Sequence, residues 1–521
     1  MTVPRTPNSA AKPGVNPWLV AAVVSMATFM EVLDTSIANV ALQHIAGSMG
    51  ASQSQATWVL TSYLAANAIV MPMSGWFSDL LGRKRFYMTC VALFTLSSLF
   101  CGIAPSLGML LVFRVLQGAG GGGLAPSEQS MLADTFPGKY FGMAFAIYGV
   151  AVVVAPAIGP VLGGWITDNF SWRWIFLVNV PVGLLSLALT QRLIQDPPTS
   201  EVARAMGERR KPRIDYLGFA FVVLAFGGLQ VVLDKGQEAD WFGSPFIVAF
   251  TVVAALGFLG MILWETLGTR DPVVDLPLLA NPSLATSLVL QLVVGFVLNA
   301  TTMLIPAFTQ TLLGYNATNA GLVLLPGGML LMVMFPLAGR LVRSVQPKYL
   351  MALGLGLTAW SLFYMMGFNT QVGFRNVALA RAFMCLGLPL FFLPLNTIAY
   401  GNLPPGKSNN ASAMMNLMRN LGGSIGIALA SALLVRGTQI RQVYLSAHTS
   451  RLDPAFVQRV NASGGFTTAN LAAFYATLQA QAAMLSYLDI FRIMAVACLV
   501  VLGIVLFLRR VNKDEAPVLG H

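Results

Sequence analysis

Two carboxylates stand inside the first long apolar run of the chain. Thr28–Leu42 reads TFMEVLDTSIANVAL and carries Glu31 and Asp34. A charged side chain at the centre of a membrane span costs at least ~2.5–3.5 kcal/mol, so such acids face a protein interior or a wet cavity, and they mark ion or proton sites. At i,i+3 the two acids are neighbours on one helical face. Ala27, Thr35 and Ala38, all small, continue that face. Acids this close would titrate as a pair. Buried cations form the second unusual set. Arg114 and Arg381 sit too far inside their apolar runs to snorkel to an interface, while Arg419 lies nearer a span end. Arg114 is the cation expected to pair with a carboxylate. Asn39, Tyr63, Asn67, Gln117, Asn299, Phe308, Gln310 and Asn396 are polar or aromatic groups inside apolar runs, and together with the two acids they are candidate lining residues of a binding pocket. A largely apolar pocket with few polar anchors suits bulky amphiphilic ligands.

The elements that must hold these groups are membrane helices. Of 521 residues, 56% are hydrophobic and 10% are charged, against about 25% charged in a soluble protein. The net charge of +11 therefore points to basic cytoplasmic loops and not to nucleic acid. Cys90, Cys101, Cys385 and Cys498 are scattered through apolar runs without metal or disulfide spacing, as core residues would be. Residues 1–16 are polar and basic and lack a short apolar region with a cleavage site, so the first span is expected to be retained.

Spans need roughly 20 apolar residues. Fourteen are expected: 18–42, 54–78, 86–104, 108–131, 141–166, 172–194, 215–233, 245–266, 284–310, 319–341, 348–367, 376–400, 410–436 and 488–509. With the N-terminus inside, the inner loops hold Arg83, Lys84 and Arg85, then Arg204, Arg209, Arg210, Lys211 and Arg213, then Arg340, Arg343 and Lys348, and finally Arg509, Arg510 and Lys513. The outer loops hold little, which places both termini in the cytoplasm. The expected organisation is a cytoplasmic tail (1–17), a six-helix bundle (18–194), a cytoplasmic linker (195–214), two inserted helices (215–266), a second six-helix bundle (284–509) and a cytoplasmic tail (510–521). An external loop, 437–487, contains two amphipathic stretches and offers a docking surface for a periplasmic partner.

The two bundles repeat. Pro72-Met-Ser-Gly75 recurs as Pro336-Leu-Ala-Gly339, each before a basic loop. Arg114, Pro126 and Pro137-Gly-Lys139 recur as Arg381, Pro394 and Pro405-Gly-Lys407. Parallel six-helix halves around a central site are an architecture of secondary transporters.

Several motifs carry the conformational chemistry. Gly75-Trp-Phe-Ser-Asp79-Leu-Leu-Gly82-Arg83-Lys84-Arg85 joins spans 2 and 3, where a tight turn brings an acid and cations to one surface. Span 5 carries Gly149 and then Ala155-Pro156-Ala-Ile-Gly159-Pro160-Val-Leu-Gly163-Gly164. Its small residues at i,i+4 allow close packing, and its two prolines allow a kink. Two nucleotide-site patterns also occur. Gly401–Ser408 fits a P-loop and Gly118–Gly123 fits a dinucleotide fingerprint. Each lies in or beside an apolar span without the preceding strand that the chemistry needs, so neither is read as a nucleotide site.

These motifs resemble the major facilitator superfamily. Gly75–Arg85 is similar to its motif A (Gly75, Asp79, Gly82, Arg83, Arg85). Leu111-Val-Phe-Arg114-Val-Leu-Gln117-Gly118-Ala-Gly120 resembles motif B. Gly149, Pro156, Gly159, Pro160 and Gly163 resemble motif C, the antiporter signature. Leu33–Leu42, Trp172–Gly183 (with Asn179 and Pro181) and Gly422–Gly426 resemble marks of the fourteen-span drug:proton antiporters, closest to EmrB-type multidrug export permeases. Gln43 departs from that pattern, which usually has proline there.

The resemblance implies an all-α polytopic fold of two six-helix bundles plus two inserted helices. It implies proton-driven export of hydrophobic or amphiphilic drugs across a bacterial inner membrane, with Asp34, Glu31 and Arg114 coupling the proton. It also implies partnership with a periplasmic EmrA-type adaptor and an outer-membrane channel. No enzymatic activity, metal or cofactor is expected beyond the proton gradient. The alternatives are an exporter of one metabolite or siderophore, an uptake symporter, and a membrane sensor that transports nothing.

Overall fold

The computed structural model describes residues 12, 15–136, 138–195, 215–268, 272–401, 403, 407–447, 449 and 453–507. The described residues are helical or irregular, with no sheet. Fourteen long helical segments follow the apolar runs: α1 (Pro17–Met49), α2 (Trp58–Leu81), α3 (Arg83–Ile103), α4 (Leu107–Thr135), α5 (Gly138–Asn169), α6 (Trp174–Leu193), α7 (Tyr216–Lys235), α8 (Pro245–Gly268), α9 (Pro282–Thr311), α10 (Asn319–Ser344), α11 (Pro347–Met365), α12 (Phe374–Gly401), α13 (Ser408–Ser446) and α14 (Thr468–Phe507). Among the described residues twelve of these, or thirteen counting the bent α5, are long and apolar enough to cross a membrane. The remaining one, α11, opens on Pro347-Lys-Tyr and packs along α12 and α14. The linker 196–214, the tail 508–521, and residues 402 and 404–406 of the P-loop-like stretch lie outside the described residues.

The repeat read from the sequence is a repeat of packing. In the first half α1 lies along α5, α2 and α3 along α4, and α3 along α6. In the second half α9 lies along α13, α10 and α11 along α12, and α11 along α14. The halves meet through two equivalent seams, α5 with α10 and α2 with α13. The inserted helix α7 covers the second seam, packing on α2 and on α13, where Gln230 donates to Ser424 at 3.0 Å.

Two helices depart from straight rods. The segments of α5 on either side of Pro156 make an angle of 43°, as two prolines four residues apart imply. In α4 the helix breaks at Gly122–Gly123, between Leu107–Gly121 and Leu124–Thr135.

The expected external loop 437–487 is largely absent as a loop. α13 has 39 residues and α14 has 40, twice what a bilayer requires. The outer stretch of α14, expected as a separate amphipathic helix, is continuous with the last span. A short helix, Pro454–Ala462, lies between them. Arg441 pairs with Asp489, and Gln442 donates to the Tyr475 hydroxyl at 2.9 Å, which clamps the extensions into a hairpin.

Candidate functional site

A cavity of about 210 Å³ lies between the two halves. On α1 its wall is Thr28, Glu31, Val32 and Thr35. The spacing i, i+3, i+4, i+7 is one face of a helix. Glu31 receives the Asn67 amide at 2.9 Å, and Asn67 in turn receives Asn420 from the other half at 3.4 Å. The cavity acid is thus linked across the cavity to α13.

Asp34 is not on that wall. Three residues turn a helix by about 300°, so Glu31 and Asp34 point about 60° apart. That is enough to aim Asp34 into the gap between α4 and α6. There it is 2% exposed and Arg114 is 0% exposed. Arg114 Nη1 donates to Asp34 Oδ2 at 2.6 Å and to Gln117 Oε1 at 2.7 Å, and its Nε donates to the Val59 carbonyl at 3.0 Å. Gln117 Nε2 donates to Asp34 Oδ1 at 2.9 Å and to Ser98 Oγ at 2.7 Å. Asn179 Nδ2 donates to the same Oδ1 at 2.6 Å. Asp34 therefore accepts from three donors in an enclosed pocket. Such a pair is held by geometry, since desolvating two charges offsets most of their attraction.

Tyr63 joins the two compartments. Arg114 lies over its ring at 4.3 Å from the centroid, a cation–π contact. Its hydroxyl faces Glu31 in the cavity. One side chain thus touches both the inner pair and the cavity wall.

The second half answers with cations alone. Arg114 and Arg381 are 267 residues apart, and the same offset carries Asp34 to Thr301. Arg381 donates to Thr301 at 2.9 Å and to Thr302 at 3.0 Å. It lines the cavity beside Arg419, whose Nη1 has no partner among the described residues. The charged side chains on the cavity wall are thus Glu31, Arg381 and Arg419.

Of the candidate lining residues, Tyr63, Asn67 and Asn299 are on the cavity and five are elsewhere. Asn39 and Gln310 are exposed because their helices run past the bilayer thickness: 22 and 28 residues from the helix starts are about 33 and 42 Å. Phe308 packs against Phe368 and Tyr487. Asn396 donates to the Phe392 carbonyl of its own helix at 2.8 Å. Gln117 belongs to the Asp34 cluster. Asp34 itself, expected as a drug contact as well as a proton site, stands behind the wall.

On the side of the basic loops the halves interlock. Gln129 of α4 accepts from Asn416 at 2.9 Å, from Tyr400 at 3.2 Å and from Ser412 at 3.3 Å. Asn409 donates to the Ser74 and Gly75 carbonyls at 3.2 and 3.4 Å. Asp134 accepts from Ser408 at 2.9 Å and pairs with Arg83. The turn before Arg83 needs Gly82, with φ +91°. Arg85 is exposed. On the opposite seam Gly142 and Gly339 meet backbone to backbone: a Cβ on Gly142 would lie 3.1 Å from the Gly339 carbonyl. Of the motif C residues, Gly149 packs on Phe335, Gly159 on Ser36, and Gly163 on Ile37. Pro156 lines the cavity, and its carbonyl accepts the Ser36 hydroxyl at 3.3 Å.

Asn179, Ser98, Asp134 and Gln129 escaped the sequence reading as site residues. Each is a polar group in or beside an apolar run, the same signal that exposed Asp34. Their partners come from other helices and have no trace in local spacing.

The sequence matches the Major Facilitator Superfamily model over residues 24–427. It is 36% identical over 493 residues to the multidrug export protein EmrB of Haemophilus influenzae, covering 93% of this chain and 94% of that one. It is 36% identical over 440 residues to the probable multidrug resistance protein EmrY of Escherichia coli K12, covering 84% of each. Among solved structures, the proton:xylose symporter XylE shares the fold with a TM-score of 0.58 at 15% identity, covering 92% of this chain and 95% of that one.

Proposed function

The chain belongs to the major facilitator superfamily and is a multi-span drug-efflux transporter of the EmrB type; from that premise we propose that it exchanges drug for protons, with Asp34 and Arg114 as the coupling pair and the cavity around Glu31 as the drug site. The single observation that carries this is the division of labour on α1: Glu31 faces the cavity and Asp34 faces Arg114 behind it. A proton bound by Asp34 cancels the charge that Arg114 answers. The guanidinium then loses its counter-charge and leans on Tyr63, whose other end borders the drug. A drug occupying the cavity acts in reverse through the same ring. Proton and drug thus alternate without sharing an atom, and no cofactor beyond the proton gradient takes part.

Two guanidiniums and one carboxylate on an otherwise largely apolar wall favour amphiphiles with an acidic group. The basic-loop end is the cytoplasmic face of a bacterial inner membrane, with both termini there. The interlock around Gln129 and Asp134 is then the cytoplasmic gate. The hairpin of α13 and α14 projects into the periplasm. Exposed Ile440, Val443, Tyr444 and Tyr475 make it the docking element for an EmrA-type adaptor leading to an outer-membrane channel.

The test is purified protein in proteoliposomes with an imposed pH gradient and a fluorescent acidic amphiphile. Wild type moves the dye against its concentration gradient until the pH gradient is collapsed by an ionophore. Uptake that is indifferent to the ionophore would refute proton coupling.

A further inference from the structure

Glu128 has no place in the site read from the sequence, yet it is a fully enclosed carboxylate, 0% exposed on the second half of α4. Thr28 of α1 donates its hydroxyl proton to Glu128 Oε2. The other oxygen, Oε1, has no partner among the described residues. The groups facing it are Glu31 and Thr28 from α1, Tyr87 from α3, whose hydroxyl donates to the Val24 carbonyl at 3.4 Å, Ser186 from α6 beside Tyr87, and Tyr148 from α5. No Lys or Arg among the described residues pairs with it; Arg114 is committed to Asp34. A carboxylate enclosed without a cation is costly unless a proton neutralises it.

The placement gives this acid a route to the cavity. Thr28 and Glu31 line the same cavity, one turn apart. Positions 34, 31 and 28 climb α1 in steps of about 4.5 Å, running from the buried ion pair toward the end that carries the interlock. We propose that Glu128 is a third proton-holding carboxyl of the transport cycle, exchanging its proton with Glu31 through cavity water and the Thr28 hydroxyl. This rests on the proton-coupled reading above. In the step, a proton leaves Glu31 by water and binds Thr28 Oγ1 while the hydrogen already there passes to Glu128 Oε2. One O–H bond breaks and one forms at Thr28. Glu31 ends ionised, Glu128 ends neutral, and the threonine is unchanged. Thr28 is a positioning residue with an exchangeable hydrogen, and Glu128 is the store.

The experiment counts protons released when an acidic dye binds purified protein in weakly buffered solution with a pH indicator. Wild type releases protons on binding. Glu128→Gln, nearly isosteric, still binds dye at saturating concentration and releases one proton fewer per dye. Thr28→Val leaves Glu128 in place and slows the release, and Thr28→Ser restores its rate. A Glu128→Gln protein with the wild-type proton count overturns the proposal. If that variant does not fold, Thr28→Val decides alone, and release at the wild-type rate overturns it. The proton-coupled reading fails separately, if wild type itself releases no proton on binding dye.

Discussion

Removing the charge of Asp34 while keeping its shape tests the inner pair most quantitatively. In Asp34→Asn the Arg114 guanidinium keeps Val59 and Gln117 as acceptors but loses its only carboxylate partner among the described residues, at 0% exposure. In Arg114→Gln the carboxylate keeps Gln117 and Asn179 but no cation. Leaving one buried charge without its partner costs about 3–5 kcal/mol. The double variant leaves neither charge and should cost well under the sum of the two, with a coupling energy of about 2–3 kcal/mol. The protein supplies its own probe. Cys90, Cys101, Cys385 and Cys498 are free and buried, so a thiol-reactive fluorophore reports their exposure as the bundle opens in detergent. Both single variants should unfold at clearly lower temperature or denaturant concentration than wild type, and the double variant should recover part of the loss. Strictly additive losses would refute the claim that these groups act as a pair.

Other outcomes follow from the same geometry. Asp134→Asn removes the charge that Arg83 and Ser408 share. It should weaken the interlock and raise labelling of a Ser130→Cys probe, whose hydroxyl has no partner among the described residues, by a membrane-impermeant thiol reagent applied from the basic-loop side; unchanged labelling would count against a gate there. Gly339→Leu places a branched side chain where the Gly142 carbonyl lies 2.8 Å from even a Cβ. Closure of that seam should fail, and the turnover rate should fall at least tenfold while dye still binds. Arg381→Met leaves Thr301 and Thr302 bonded to the Val297 and Leu298 carbonyls of their own helix and removes a cavity cation. Export of acidic dyes should fall by about tenfold, equivalent to about 1.4 kcal/mol of lost binding, while neutral dyes are spared; equal loss for both would argue against a charge-selective wall.

The two acids, the lone arginines and the paired prolines of α5 were legible because a charge or a proline in an apolar run has few innocent explanations. The motif glycines were legible for the same reason, and the structure finds Gly82 in a left-handed turn and Gly149 under Phe335. Facing was not legible. Glu31 and Asp34 share a helical side by spacing, but whether a side chain meets the cavity depends on where α4 and α6 stand. Depth failed for Asn39 and Gln310, because hydropathy marks the membrane-length core of a helix and not how far the helix runs on. Likewise the amphipathic stretch after residue 467 carried a helix signal without showing that it continues unbroken into α14. Glu128 lies inside the expected span 108–131, close to its end, where local spacing does not say what faces it. Only the helices packed around it make it an interior acid.

The central claim is that Asp34 couples the proton while the cavity binds the drug. Its most direct test compares net, gradient-driven dye export with dye–dye exchange in proteoliposomes holding Asp34→Asn. The account predicts that exchange persists, because Glu31, Arg381 and Arg419 still line the cavity, while accumulation against a concentration gradient disappears. Accumulation by Asp34→Asn at the wild-type level would contradict it.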